Sequence, residues 1–401
     1  LTYQVDDAHA AARIIKQEIP SIVTVVGGYH VSAVPEETLN RYPEFDFAIF
    51  GEGEQTLKEF LSILPEGEEP DRFDAVHGMG YMNKMTARVN PPRDFMDDLD
   101  SLEFPAYDLV PMDHYVGFYS MFMKPRRTVA LSSGRGCPYK CIFCFKATGD
   151  KYRTRSLESV MEEVRRDVHE LRVRDIVITD ESFMMHRARV REFCDMMISE
   201  GLHEKVNWIC QSRVDHAEGE MLKHMKRAGC RVVSYGVESG NEDMLKSIRK
   251  GITRDKALRA VRLTREAGIM TDTNFIIGHP GDTGQTIEDT IRFAVELNAD
   301  MVSFAIMVPF PGTKIAQMAE RGEGGLRVLT KDYSKYGKQV GGSLELENIP
   351  RRELERLHRK AYLRFYLRPS KIMNLMRGVD LRMLLFMAGH LLVSFFKPGK
   401  K

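Results

Sequence analysis

Residues 132–146 read SSGRGCPYKCIFCFK, and three cysteines, Cys137, Cys141 and Cys144, fall within eight positions of this stretch. A disulfide uses two thiols, and a closed structural zinc site uses four ligands. Three thiolates on one short loop suit an iron–sulfur cluster, which cysteine holds, ordinarily with four ligands. With three, one iron is left open for a substrate or cofactor, much as catalytic zinc sites keep a free position. Zinc is the structural alternative, and it needs a fourth ligand from a distant Cys or His. The remaining cysteines, Cys194, Cys210 and Cys230, are scattered at intervals of 16 and 20 positions and read as small buried hydrophobes.

Such a loop needs a scaffold that presents it, and the surrounding sequence supplies one. From about 126 to 308, strand and helix patterns alternate regularly. Strands are expected at TVALSS, DIVITD, VNWICQ, RVVSYG, MTDTNFIIG and MVSFAIM. Between them lie helices such as SLESVMEEVRRDVHEL, with Leu157, Val160, Met161, Val164 and Val168 on one face. Six successive βα units predict an α/β fold with a partial (β/α)6 TIM-like barrel, whose chemistry would gather at the carboxyl ends of the strands. The cysteine loop, DES, QSR, ESG, GHPGDT and VPFPGT all fall at those ends. Turn chemistry explains the glycines and prolines there. It explains Arg213 and Glu238 less well, because charges at a barrel mouth are costly unless paired.

The flanks read differently. A helix up to Glu18, the run SIVTVVGG, a helix near Glu36–Arg41 and the strand–turn–helix DFAIFGEGEQTLKEFLSIL make half of a doubly wound domain, assigned to residues 1–90. A linker covers 91–125, the barrel 126–320, and a basic helical region 321–401. The linker zone begins beside a small hairpin near GMGYMNKMTARV. The tail helix RRELERLHRKAYLRFYLR is expected to pack on the barrel with one face solvated. The apolar run Met383–Phe396 is too short to span a bilayer. It is either a helix buried against the body or an interfacial anchor, with Lys397, Lys400 and Lys401 meeting head groups.

The chain has 401 residues, with 58 Lys+Arg against 57 Asp+Glu, and a single Trp. That balance argues against a phosphate-tracking or base-stacking surface. Six cysteines in so long a chain are no secreted disulfide framework, so a reducing cytoplasm is expected, with peripheral membrane association through the apolar run as the variant.

The spacing Cys137-x3-Cys141-x2-Cys144, with Phe143 before the last, resembles the signature of the radical S-adenosylmethionine (SAM) enzymes, and the resemblance extends over roughly 126–320. It implies a [4Fe-4S] cluster whose open iron chelates SAM. One electron from a reductant such as flavodoxin or ferredoxin then cleaves SAM to methionine and a 5′-deoxyadenosyl radical, which abstracts hydrogen. By the same resemblance, Asp180, Glu181 and Ser182 would receive the SAM amino group; this chain has DES where GGE is common. A carboxylate is the apt partner for an ammonium. Arg213 would pair the SAM carboxylate, and Glu238 would face the ribose or methionine end. Gly278, Pro280 and Gly281 would bring backbone to the adenine.

The segment VVGGYHVSAVPEETL followed by DFAIFGEGEQTL resembles the second half of the cobalamin-binding domain that precedes many such enzymes. Gly27 and Gly28 would let backbone approach the corrin and its tail, with Gly51 and Glu52 at the next strand end. The Asp-x-His-x-x-Gly motif of that family is absent, because the sequence opens after its place. The expectation is weak or no cobalamin binding by this chain and binding by a longer one. The resemblance implies methylation of an unactivated carbon in a small-molecule substrate. An oxidative cyclase, as in the anaerobic magnesium-protoporphyrin ester cyclase group, or another rearrangement of a tetrapyrrole or lipid-like substrate is the alternative. A non-catalytic metal-binding module is the alternative of another class, and methylthio transfer would need a further cysteine set. His186, Tyr235, His279, Phe304 and Phe310 are open to two readings, pocket lining and core packing.

Overall fold

The computed structural model describes residues 1–64, 70–84, 86–114, 116–117, 126–337 and 342–378. The apolar run Met383–Phe396 lies outside the described residues. Among those described, no helix is long and apolar enough to cross a membrane.

The N-terminal part is a four-stranded sheet of β1 (Val25–Gly27), β2 (Phe47–Ile49), β3 (Met79–Asn83) and β4 (Thr86–Val89), in that order. The β1–β2 pair is parallel, and the hairpin β3–β4 completes the sheet antiparallel to β2. Alternation along β2 sends Phe47 and Ile49 to one side, where Phe60, Phe73, Met79 and Tyr81 meet them. Ala48 faces the other side with Val31, Leu39, Tyr42 and Phe45, and there Val308, Tyr333 and Tyr336 from the second part close the same cluster. The two parts therefore share a core.

The second part is built on six parallel strands in chain order: β5 (Arg126–Leu131), β6 (Asp175–Ile178), β7 (Asn207–Ser212), β8 (Cys230–Glu238), β9 (Met270–Ile277) and β10 (Met301–Ile306). Val116–Gly117 adds a short antiparallel strand beside β5. The connecting helices cover one face of this curled half-barrel. Side-chain caps set where three of them start: Ser156, Thr253 and Thr283 accept from the amides of Ser159, Lys256 and Thr286. The helix-side core holds Leu131, Ile178, Trp208, Tyr235, Phe275 and Phe304. A smaller cluster, Ile209, Val232, Met270 and Met301, occupies the opposite face, inside the half-barrel.

An open β-edge needs partners for its backbone groups. The helix Arg351–Tyr366 provides them along β10. The Tyr362 hydroxyl accepts from the Phe304 amide (3.1 Å) and donates to its carbonyl (3.2 Å). Tyr366 does the same at Val302, at 3.0 and 2.8 Å. The tail helix thus packs on the barrel as its amphipathic pattern predicts.

Candidate cofactor site at the barrel mouth

The cysteine loop leaves the end of β5 and is held at both ends. Gly134–Arg135 pairs antiparallel with Arg153–Thr154. Gly136 has φ +90°, and a Cβ there would run into the Lys151 carbonyl, so only glycine fits. Cys137 N–H donates to Gly149 O (3.2 Å), and Cys144 N–H turns back to Cys141 O (3.3 Å). Ile142 ties the loop to two helices, donating to the carbonyl of Ile248, which caps the helix Glu242–Ser247, and accepting from Ile315 N–H in the helix Lys314–Glu320. Phe145 lies against Gly312, where a Cβ would come within 2.6 Å of its ring. All three thiols are free of disulfides, and Cys144 is exposed. Cys141 and Cys144 lie against each other; the Cys144 thiol, with Lys250 and Arg213 nearby, brings the Cys141 pKa down to about 6. Among the described residues, no three His, Cys, Asp or Glu side chains are gathered as the ligands of one ion. The donor set itself, three free thiols on one pinned loop with cationic neighbours, fits an iron–sulfur cluster.

Lys250, in the loop after β8, forms a 2.7 Å ion pair with Glu238, and both side chains are more than nine-tenths buried. The register between β8 and β9 shifts at Gly236/Glu238, and Glu238 takes φ +71°. A bulge of this kind re-aims a side chain. Here it swings the carboxylate over Gly236, whose missing Cβ leaves the room. Burial works against a charged Lys250, but the Glu238 carboxylate holds its pKa above the ordinary value. Arg213 is engaged differently from a free anion receptor. It binds Asp215 through Nε (3.0 Å) and Nη2 (2.9 Å), donates to Lys250 O, and stacks 3.6 Å from the centre of the Tyr139 ring.

The DES turn divides its labour. Asp180 is fully buried and accepts from Ser133 N–H (2.8 Å), Ser133 Oγ (2.7 Å) and the Tyr152 hydroxyl (3.0 Å). Its oxygens fasten the start of the cysteine loop rather than face the mouth. Glu181 is partly exposed and accepts from Thr148 Oγ1 (2.6 Å). Ser182 meets His216 Nδ1 (3.0 Å), and His216 Nε2 meets the Tyr139 hydroxyl (2.6 Å), so a hydrogen-bonded chain links β6 and β7 to the cysteine loop. Burial lowers the His216 pKa.

The glycine turns of the N-terminal sheet face this mouth. Gly27, Gly28 and Tyr29 are exposed, and Tyr29 feels the charges of Glu181 and Arg135. Gly28 (φ +97°) and Gly51 (φ +75°) would each point a Cβ into open space. This shelf of bare backbone fits a large flat ligand. Glu52 does not join it. Both its oxygens turn to the barrel, taking Arg153 at 2.8 and 2.9 Å, Arg135 at 3.2 Å and Met96 N–H at 2.9 Å. Burial would push its pKa up, but these donors hold it below the ordinary value. The resemblance set Glu52 at a corrin; the reason it sits elsewhere is a pair of arginines 83 and 101 residues away.

Gly278, His279 and Pro280 are buried, with Asp282 accepting from the Gly278 and His279 amides and Leu354 beside Gly278; only Gly281 is exposed. Of the five residues open to two readings, Tyr235 and Phe304 belong to the helix-side core, and the Tyr235 hydroxyl bonds Thr264. Phe310 packs in the cluster shared with the N-terminal sheet. His186 is exposed and stacks near Tyr152, and His279 is buried near Phe143 with neither ring nitrogen bonded. Cys194, Cys210 and Cys230 lie buried in the helix-side core. Nothing in the sequence singles out Lys250, Arg153 or His216, although the abundance of charge at strand ends is a signal that pairing must occur there.

Comparison with known proteins gives a consistent picture. Residues 131–294 match the radical SAM superfamily, and residues 1–61 match the B12 binding domain. An uncharacterized methyltransferase of Pyrococcus horikoshii is 33% identical over 370 residues, covering 92% of this chain and 77% of its own length. The anaerobic magnesium-protoporphyrin IX monomethyl ester cyclase of Cereibacter sphaeroides is 28% identical over 381 residues, 94% of this chain; the chain spans 60% of that protein's length. The solved radical SAM methyltransferase TsrM of Kitasatospora setae, which has cobalamin and a [4Fe-4S] cluster bound, shares the fold with a TM-score of 0.67 at 20% identity, covering 88% of this chain and 67% of that one. With its cysteine loop on a parallel half-barrel and a glycine-turned sheet alongside, the chain belongs to the radical SAM superfamily, in the branch that carries a B12-binding domain.

Proposed function

We propose that the protein to which this chain belongs catalyses cobalamin-dependent C-methylation of a small molecule, with Cys137, Cys141 and Cys144 as the ligands of a [4Fe-4S] cluster. The observation that carries the reading is the meeting of three free thiols with the Gly28 and Gly51 shelf at one mouth. When bound, the cluster, SAM and cobalamin supply one-electron cleavage of SAM and a methyl group for the carbon so activated. The chain's own residues do the rest. Glu181 and the Glu238–Lys250 pair receive the polar groups of SAM, Arg213 and Asp180 hold the walls, and Gly281 offers exposed backbone. Gly27, Gly28 and Gly51 admit a corrin to close range. A one-electron carrier such as flavodoxin or ferredoxin serves as reductant, and a reducing cytoplasm suits the free thiols. The likeness to the cyclase over 94% of the chain favours oxidative ring closure as the second reading.

Anaerobic reconstitution with iron and sulfide tests the core of this. The product should be brown and, once reduced, should convert SAM to 5′-deoxyadenosine. Replacing Cys137, Cys141 or Cys144 with Ala should abolish both. A Cys variant that keeps its cluster and cleaves SAM refutes the ligand assignment. Mass spectrometry of products then separates a gained methyl from a lost pair of hydrogens.

A further inference from the structure

The two bonds of Ile142 decide what surrounds the middle of the cysteine loop. Its amide meets Ile248 O at 3.2 Å, and its carbonyl meets Ile315 N–H at 3.2 Å. The end of the helix Glu242–Ser247 and the start of the helix Lys314–Glu320 are thereby drawn against residues 140–144. Four cations come with them or stand on the loop itself: Lys140, Lys246, Arg249 and Lys314. All four are exposed, and the cofactor site uses none of them. Arg249 and Lys250 are consecutive and part in direction. Lys250 is buried against Glu238, and its charge acts on the Cys141 and Cys144 thiols, whereas Arg249 stands in solvent. A single thickness of backbone lies between the basic surface and the ammonium that acts on the thiols.

The acids of the same elements leave this patch positive. Among the described residues, Lys140, Arg249 and Lys314 form no ion pair. Lys246 has Asp243 at 3.5 Å, but the two side chains are 77% and 87% exposed, and so open a pair holds its cation loosely. Glu242 is turned to the Arg254 amide (2.8 Å). Glu320 ends its helix, six residues beyond Lys314, and Glu323 is paired with Arg321 while feeling the charge of Lys314. Asp150 is the exposed acid of the loop, near its Cys137 end. The whole chain carries a formal charge of only +1, so it has no general attraction for anions. A local cluster of four cations then decides where an acidic partner lands.

We infer that Lys140, Lys246, Arg249 and Lys314 form the docking surface for an acidic one-electron carrier protein. The inference rests on the proposed radical SAM activity, which requires an electron at the loop. Electron transfer weakens steeply with distance, so a carrier must dock close to the thiols. The mouth side of the loop is taken up by the proposed SAM and corrin sites, which leaves the side that Ile142 braces. The chemistry of the patch suits a brief encounter: exposed cations steer an acidic protein and raise its association rate, and a small charged contact lets the spent carrier leave. In each encounter the reduced carrier loses one electron and the centre on the loop gains it. No bond is made or broken, and no atom is transferred.

The test uses an acidic flavodoxin and an acidic ferredoxin as probes of the full chain. Binding to the unreconstituted chain is measured by biolayer interferometry at low and physiological salt, and SAM cleavage by the reconstituted chain is driven either by the reduced carriers or by reduced methyl viologen, a small cation. At least one carrier should bind, and its Kd should weaken at least tenfold as salt is raised. Two charge-reversed pairs should each weaken binding and carrier-driven cleavage at least tenfold: Lys140→Glu with Arg249→Glu on the loop side, and Lys246→Glu with Lys314→Glu on the two helices. Viologen-driven cleavage should stay within about twofold of wild type in both pairs, because it needs no docking surface. Arg352→Glu with Arg359→Glu, the same charge change on exposed positions of the tail helix, should alter neither readout. Binding by neither carrier, wild-type binding by both pairs, an equal loss in the tail-helix control, or a loss of viologen-driven cleavage equal to the carrier-driven loss in both pairs overturns the inference. If SAM is cleaved with no reductant while salt-dependent binding and its loss in the two pairs persist, the proposed activity fails and the docking surface stands.

Discussion

Glu52→Gln separates the clamp reading of the N-terminal turn from a cofactor-binding one. The wild-type carboxylate receives four bonds, three from guanidinium groups and one from the Met96 amide. Its side chain is 6% exposed and that of Arg153 is 4% exposed. Glutamine keeps the shape but offers one acceptor oxygen, and its NH2 group must face donors. Hydrogen bonds to charged groups contribute about 1.5–3 kcal/mol each, and breaking a buried pair by removing one partner costs about 3–5 kcal/mol. The variant should therefore lose about 3–5 kcal/mol in urea unfolding followed by circular dichroism. Glu54→Gln is the internal control, because Glu54 also reaches Arg135 (2.6 Å) from two residues away but is 43% exposed. An exposed pair is worth about 0–1 kcal/mol. Amide exchange across residues 132–154 should quicken in the first variant and stay unchanged in the second. The pH dependence has a definite sign. The folded-state pKa of Glu52 is depressed, so its stabilisation is complete above the unfolded value of about 4.3 and is lost as pH falls through the folded one. The gap between wild type and Glu52→Gln should close in acid. Equal costs for the two variants, or a gap that persists in acid, would refute the reasoning.

Other perturbations follow from the same geometry. Gly136→Ala forces a Cβ into the Lys151 carbonyl at φ +90° and should abolish iron and sulfide loading, whereas Gly281→Ala, at φ +80° in open space, should cost about 1–2 kcal/mol and load normally. Tyr362→Phe leaves the Phe304 amide without its acceptor, while His358 still meets the Phe304 carbonyl at 2.9 Å, and should lower stability by about 1–3 kcal/mol in thermal unfolding. Lys250→Met leaves the Glu238 carboxylate buried without its cation and should cost about 3–5 kcal/mol. Since the Lys250 pKa is raised in the folded state, its contribution is whole below about pH 10.4 and fades only as pH rises through the folded value, so wild type should show no loss from this pair near neutrality.

Much of the scaffold was readable from local sequence. The six strands are β-branched or aromatic runs broken by polar turns, and all six appear within a few residues of the expected places. The cysteine loop was readable because its glycines are demanded by backbone: Gly136 sits at a φ that a side chain rarely adopts, immediately before the first thiol. The start of the helix after the loop was readable from Ser156, a capping residue ahead of the apolar period.

What stayed hidden is the pairing of charges across long sequence separation. A glutamate after a glycine at a strand end looks the same whether it faces a ligand or an arginine, and Arg153 is 101 residues away. Alternation along β9 says that Asp272 and Asn274 share a face and that Thr271, Thr273 and Phe275 share the other. It does not say which face the helices cover. That is fixed by the apolar sides of the neighbouring helices, and it makes Asp272 and Asn274 inward. The Tyr362 hydroxyl is a similar case: a tyrosine on a basic helix reads as surface until an unpaired strand edge lies beneath it. In each instance the local pattern gives the residue's direction relative to its own element. The chemistry depends on what the fold then sets opposite, so a charged or polar residue at a strand end can be assigned to a ligand only after every nearby counter-charge has been placed.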